Sequence, residues 1–256
     1  MMARHALVHV DDVPDEPVEM PGTTGRSGVR VPISGRQGSP NACFFARYFP
    51  GLTRPKHRHE RCDELVFVRS GRGRFGPDGR EVRAGHARFI PRSAVHWLRN
   101  TGPEEPIELI AFFDGAPSRE ETGTVVLGPA SEADFHSMPA GEGARKYPSF
   151  HLEEVSPVAL EGGGALRPLL GGWCGARSLL FHLTLPPGAA LPEGPGLGGG
   201  LICAVTRGEG TAQAGPERAE VRAGHFQYVP RGTAFGLRSG GAGEPLECVG
   251  VVFGAG

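Results

Sequence analysis

No run of about 18 consecutive apolar residues occurs, so the sequence offers no membrane-spanning helix. Basic charge is not in excess either. The chain has 27 Lys and Arg against 28 Asp and Glu, a net charge of −1, which excludes the clustered cationic surface that nucleic acid or an anionic membrane requires. The opening MMARHALVHVDDVPDEP has no apolar core ahead of its acidic cluster, so no secretory signal is expected. Cysteine is sparse and odd in number (Cys43, Cys62, Cys174, Cys203 and Cys248), and no two form a CxxC pair. That pattern argues against a disulfide framework and for free thiols in a reducing compartment. Long helical periodicity is missing as well. The expectation is a cytoplasmic protein with no nucleic-acid or membrane partner, present as a monomer or homodimer.

Glycine (41) and proline (24), by contrast, make up about a quarter of the 256 residues. They punctuate short apolar runs such as FFARYFPG, ELVFVRSG, ARFIPR, IELIAFFDG, SLLFHLTLPPG, LICAVTRG and FQYVPRG. Apolar runs of this length, closed by turn residues, read as strands of an all-β sandwich or barrel. One short helix is expected near Ser131–Met138, where SEAD has the form of a capping box.

The strands occur in two sets. Gly79–Arg92 reads GREVRAGHARFIPR and Glu217–Arg231 reads ERAEVRAGHFQYVPR, with EVRAGH identical in both. Upstream, Phe44, Gly51 and Gly71 match Phe181, Gly188 and Gly208 at an offset of 137, which becomes 139 beyond that turn. The second copy therefore carries two extra residues in one hairpin. HVDDVP near the start also resembles HLEEVS at 151–156. The matches predict two β-domains, 1–118 and 146–256, joined by a partly structured connector, 119–145.

The informative segment of the first copy is Gly51-LTRPK-His57-Arg-His59-ERCD-Glu64-LVFVRS-Gly71. His57 and His59 are two apart, so on a strand both project from one face. Glu64 opens the next strand and shares a face with Val66 and Val68. Two imidazoles and a carboxylate converging inside a β-fold begin a first-row transition-metal site, and His96 can add a third imidazole. Cys62 lies inside the ligand interval, either as a thiol reaching the site or as an incidental loop residue. His86 and His225 hold one repeat position and read as structural. Arg47, Tyr48 and Phe89 fall on strands near the expected interior and are candidate substrate contacts; alternation turns one of Arg47 and Tyr48 inward.

These segments resemble the two signature motifs of the cupin family. The first pattern, Gly51, His57, His59, Glu64 and Gly71 at their fixed spacing, is met in full. The second is met at Gly85, Pro91, His96 and Asn100, with Ser93 in place of a glycine. The resemblance implies all-β, jelly-roll barrels in tandem, with His57, His59, Glu64 and His96 as metal ligands. In the second copy those four positions hold Gly194, Gly196, Leu201 and Phe235, so the expectation is a bicupin with one metal per chain.

Three imidazoles and a carboxylate leave one or two positions on an octahedral ion. Fe(II) is the favoured metal, with Mn(II), Ni(II), Co(II) and Zn(II) as alternatives. The first functional expectation is an oxygenase acting on a small chelating substrate, in the manner of cupin dioxygenases. The second is a non-redox isomerase, lyase or decarboxylase, with the metal as Lewis acid. A binding or sensor module is the third.

Overall fold

The computed structural model describes residues 5–16, 20–194, 196–241 and 243–254. The structure is all-β, as expected, and its strands divide between two compact units. One unit comprises Pro14–Val31 and Pro40–His151; the other takes the chain up to Val13, Pro32–Ser39 and everything from Leu152 onward. These units do not follow chain order, whereas the boundaries read from the repeat do.

The first unit contains most of a six-stranded sheet in the order Ser149–His151, His86–Ile90, Asp63–Ser70, Ile107–Asp114, Ala42–Tyr48 and Ser27–Ile33, the last of which belongs to this unit up to Val31. A three-stranded sheet places Arg72–Gly76 between Arg80–Arg83 and Trp97–Asn100, and Lys56–His59 pairs with Thr124–Gly128. The sheets are not closed into a single barrel. Leu65, Val66, Phe67 and Val68 are all buried because Asp63–Ser70 is a central strand covered on both faces. Val66, Val68, Phe44, Leu109 and Phe113 from the large sheet share one core with Phe75, Val82 and Leu98 from the small one.

The second unit repeats the plan. Its seven-stranded sheet runs Ala6–His9, His225–Val229, Leu201–Arg207, Leu246–Val252, Leu179–Leu185, Ala165–Leu170 and Val158–Ala159, and a four-stranded sheet contains Phe235–Ser239, Glu209–Ala214 and Glu217–Arg222. Both sheets feed one core, including Phe181, Leu201, Val205, Val221 and Phe235. The two-residue change of offset falls in the 209–222 hairpin, whose strands are longer than Arg72–Gly76 and Arg80–Arg83.

The short strands Ala6–His9 and Ser149–His151 hold equivalent places. His9 lies opposite His225, and His151 lies opposite His86. The segment HVDDVP thus starts on a strand of the second unit, and HLEEVS starts on a strand of the first.

The turns explain the repeated glycines. Gly71 and Gly208 sit at φ +75° and +72°, and a Cβ there would come within 2.5 Å of the Pro106 carbonyl oxygen and 2.3 Å of the Pro245 one. Near Ser131 the structure differs from expectation: Ala133–His136 is a 3-10 turn, and the α-helix follows at Ala140–Lys146. The Asp134 carboxylate accepts from both the backbone N–H and the hydroxyl of Ser131, each at 2.7 Å. The Ser131 hydroxyl thus donates to Asp134 instead of accepting from its N–H, which bonds to Ser131 O at 3.2 Å, so the box is only half made, and the helix that follows has Pro139 as its N-cap.

Candidate metal centre

Lys56–His59 alternates in burial, turning His57 and His59 inward and Lys56 and Arg58 outward. Lys56 Nζ reaches Asp134 at 2.9 Å and Arg58 pairs with Glu60 at 2.8 Å, so the outer face is held by ion pairs. His96 is fixed opposite His57 by two backbone hydrogen bonds, His57 N–H to His96 O at 3.0 Å and His96 N–H to His57 O at 2.8 Å. Ser93, standing where the motif has glycine, takes φ +64° and donates its backbone N–H to His59 O at 2.7 Å. Glu64 lies on Asp63–Ser70, across from Ile90 and Phe113.

The three imidazoles meet. One nitrogen of each of His57, His59 and His96 lies within 4.8 Å of the other two, and all three residues are buried. The Glu64 carboxylate joins them, with Oε2 at 3.0 Å from His96 Nε2 and 3.4 Å from His59 Nε2. The four residues named from the motifs are therefore brought together.

The hydrogen bonds behind the rings decide what the cluster can hold. His57 Nδ1 lies 2.8 Å from Pro55 O, and His96 Nδ1 lies 3.0 Å from Ala94 O. A carbonyl only accepts, so each Nδ1 carries the proton and each Nε2 presents a lone pair to the interior. The His96 lone pair then faces a carboxylate oxygen, acceptor against acceptor, with no protein donor to that oxygen. A cation is needed between them. One proton would relieve a single contact, whereas a divalent ion satisfies three imidazoles and a carboxylate together, so the residues fit a metal.

Electrostatics agree. Burial, reinforced by His96, Arg54 and His59, holds the His57 pKa well below its ordinary value. Burial also lowers His59, against the pull of Glu64. Burial alone would raise the Glu64 carboxyl, but the attraction of positive charge at the His59 and His96 rings outweighs it and holds the group well below the usual carboxylate range. At neutral pH His57 and His59 are therefore neutral and Glu64 charged, the protonation that metal ligation requires.

A cavity of about 320 Å³ opens onto the cluster, walled by Phe44, Val66, Leu109 and Phe113. Of the three candidate substrate contacts, Tyr48 lines it, and burial raises its pKa so that the phenol stays protonated. Arg47 and Phe89 do not. Arg47 alternates to the opposite face of Ala42–Tyr48 and donates from Nε to Glu108 at 3.0 Å. Phe89 is buried opposite Leu65, on the other face of its strand from the core residue Ile90. Cys62 is buried, directs its thiol at Thr122 O, and is pushed up to about 12 by burial and nearby carboxylates. It is no reactive thiol. His86 accepts from Arg83 N–H and His225 from Arg222 N–H, each at 3.0 Å, in structural roles.

Two groups of cavity residues were not foreseen. Arg54 is buried and lines the cavity, and its Nη1 has no hydrogen-bond partner. Alternation back from His57 would have turned it outward with Lys56 and Arg58, but regular strand begins only at Lys56. Its place in the motif spacer was the available signal. Arg119, Glu120, Thr122 and Thr124 also line the cavity, from the segment expected to be a connector. Thr124–Gly128 is a strand with no alternation of apolar and polar residues to announce it.

Comparison with known proteins supports the fold. Residues 44–113 match the family model described as Cupin domain. No curated protein matches the sequence. Among solved structures, an R92A mutant of Bacillus subtilis oxalate decarboxylase superposes with a TM-score of 0.73 at 16% identity, covering 98% of this chain and 78% of that one. Momordica charantia 7S globulin gives 0.72 at 15% identity, with 98% and 84% covered. Escherichia coli protein Ylba gives 0.71 at 11% identity, with 98% and 90% covered. These likenesses concern the fold and include both an enzyme and a globulin.

Proposed function

We propose that this chain is a bicupin enzyme with one competent centre, in which His57, His59, Glu64 and His96 hold a divalent metal that a small carboxylate substrate chelates. The observation that carries the reading is the cluster of three buried imidazoles, with Glu64 beside two of them and its oxygen facing the His96 lone pair, acceptor against acceptor, at 3.0 Å. The equivalent positions Gly194, Gly196, Leu201 and Phe235 offer no ligand, so one ion binds per chain.

Arg54 supports the substrate class. A buried guanidinium nitrogen without a partner costs free energy that an entering carboxylate removes by a charge-assisted hydrogen bond. Tyr48 adds a protonated phenol as a donor, and the apolar walls exclude bulk water around the reacting atoms. The bound metal supplies Lewis acidity and, as Fe(II), electrons for reaction with dioxygen. An Fe(II) oxygenase is the reading we favour, because the four ligands leave two positions on an octahedral ion for substrate and dioxygen, and Phe44, Val66, Leu109 and Phe113 wall the cavity beside them. A non-redox lyase or isomerase is the second reading. Glu120 favours it, since a carboxyl group on the same cavity is placed to exchange a proton with substrate.

The test is metal analysis of anaerobically purified protein, then incubation with 2-oxo, 2-hydroxy and dicarboxylic acids while oxygen uptake is recorded. One ion per chain, lost in His57→Ala with His59→Ala, is expected. Oxygen consumed in step with substrate supports the oxygenase; turnover without oxygen uptake supports the lyase or isomerase. Metal binding equal in wild type and the double variant overturns the centre.

A further inference from the structure

Two of the three imidazoles have their tautomer dictated by a carbonyl, but His59 does not. Its Nδ1 lies 2.9 Å from Thr124 Oγ1, and a hydroxyl can accept or donate. Were Thr124 to donate, His59 would carry its proton on Nε2, and the nitrogen facing Glu64 would have no lone pair for a metal.

The next bonds remove that freedom. Thr124 Oγ1 lies 2.7 Å from Thr122 Oγ1, and Thr122 Oγ1 lies 2.7 Å from the carbonyl oxygen of Arg119. The carbonyl accepts, so Thr122 spends its only hydroxyl hydrogen there. Thr122 can then only accept from Thr124, which in turn can only accept from His59. The chain has one direction: His59 Nδ1–H to Thr124, Thr124 O–H to Thr122, Thr122 O–H to Arg119 O. Thr122 is 1% exposed, so water does not compete at its hydroxyl. The same segment is stitched to the ligand strand by Glu60 N–H to Gly123 O and Arg61 N–H to Thr122 O, each at 3.1 Å.

We propose that Thr122 and Thr124 are positioning residues that set His59 in its Nδ1–H tautomer, so that Nε2 is presented as a metal ligand. The role of Nε2 rests on the metal-centre reading above; the tautomer does not. The segment 119–124, outside both signature motifs, thereby controls a ligand inside one of them.

Two readouts test this. The first is the two-bond nitrogen–proton correlation spectrum of metal-free protein labelled with ¹⁵N-histidine, with His59 assigned by its loss in His59→Gln. Wild type and Thr124→Ser should show His59 protonated at Nδ1. Thr124→Val should move it towards Nε2–H, with Thr124→Ala as the smaller replacement should valine perturb folding. Thr122→Val leaves Thr124 in place but frees its hydroxyl to rotate, so it should also yield a mixture. The second readout is Co(II) titration, in which both valine variants should bind about 10–100-fold more weakly and Thr124→Ser like wild type. His59 remaining wholly Nδ1–H in Thr122→Val, Thr124→Val and Thr124→Ala overturns the proposal. Co(II) failing to bind wild type overturns the metal centre instead, while the spectrum still decides the tautomer.

Discussion

Arg54 occupies the cavity beside His57, a cation whose Nη2 rests on the Met20 thioether while Nη1 finds no acceptor. Arg54→Met keeps most of the volume and removes the charge, so metal content should be unchanged and stability equal or higher. Hydrogen bonds to charged groups are worth about 1.5–3 kcal/mol, so affinity of the metal-loaded protein for a small dicarboxylate should fall roughly ten- to hundredfold by calorimetry. Unchanged affinity would remove Arg54 from the site. The imidazoles set the response to acid. His57 and His59 titrate below their ordinary value when folded, mainly through burial, and near about 6.5 when unfolded. Below that pH the unfolded chain takes up protons that the folded chain refuses. Their contribution is therefore complete above about 6.5 and lost as pH falls towards the folded values. The Glu64 contribution is lost only further down, below the ordinary carboxylate range. Thermal melts of the metal-free protein should show Tm dropping between pH 7 and 5, with a shallower slope in His57→Asn.

At the scale of elements, turns and strands obey different rules, and this decided what could be read in advance. Turns are legible because positive φ selects glycine, which is why Gly51, Gly71 and Gly85 marked the same corners as Gly188, Gly208 and Gly224. They are not equally demanding. Gly71 has the Pro106 carbonyl against its missing Cβ, whereas Gly51, at φ +79°, has nothing within 4 Å. Gly51→Ala should cost about 1 kcal/mol, from backbone strain alone, and Gly71→Ala about 2–3 kcal/mol because the clash adds to it. In melting temperature that is roughly 2–4 °C against 5–10 °C; the reverse order would refute the packing argument. The ligand strand was equally legible, since spacing of two fixes a shared face. Arg54 and Thr124 were hidden for a common reason: Arg54 precedes the regular strand, and Thr124 begins a strand without an apolar face. In both cases tertiary surroundings, not local alternation, set the direction of the side chain.

For the whole molecule, the repeat predicts two similar β-units in chain order, and the strands divide between two compact units whose boundaries do not follow that order. It could not say which unit each short leading strand joins. HVDDVP and HLEEVS look alike wherever they pair, and a pairing such as Ala6 with Tyr228 leaves no local trace in the sequence. That pairing sets a timetable for the ribosome. Every residue of the first unit has been made once His151 is added, but Ala6–His9 must wait for His225–Val229. Roughly 75 residues separate the two events, or roughly 4–15 seconds at ~5–20 residues per second. During that interval an apolar strand is exposed with a free edge, the kind of surface that recruits other chains. The acidic residues Asp11, Asp12, Asp15 and Glu16 follow it immediately, placed as flanking charges are when they keep such a strand in solution. Asp11→Asn with Asp12→Asn should therefore lower the soluble fraction made during expression while leaving the Tm of the purified protein nearly unchanged.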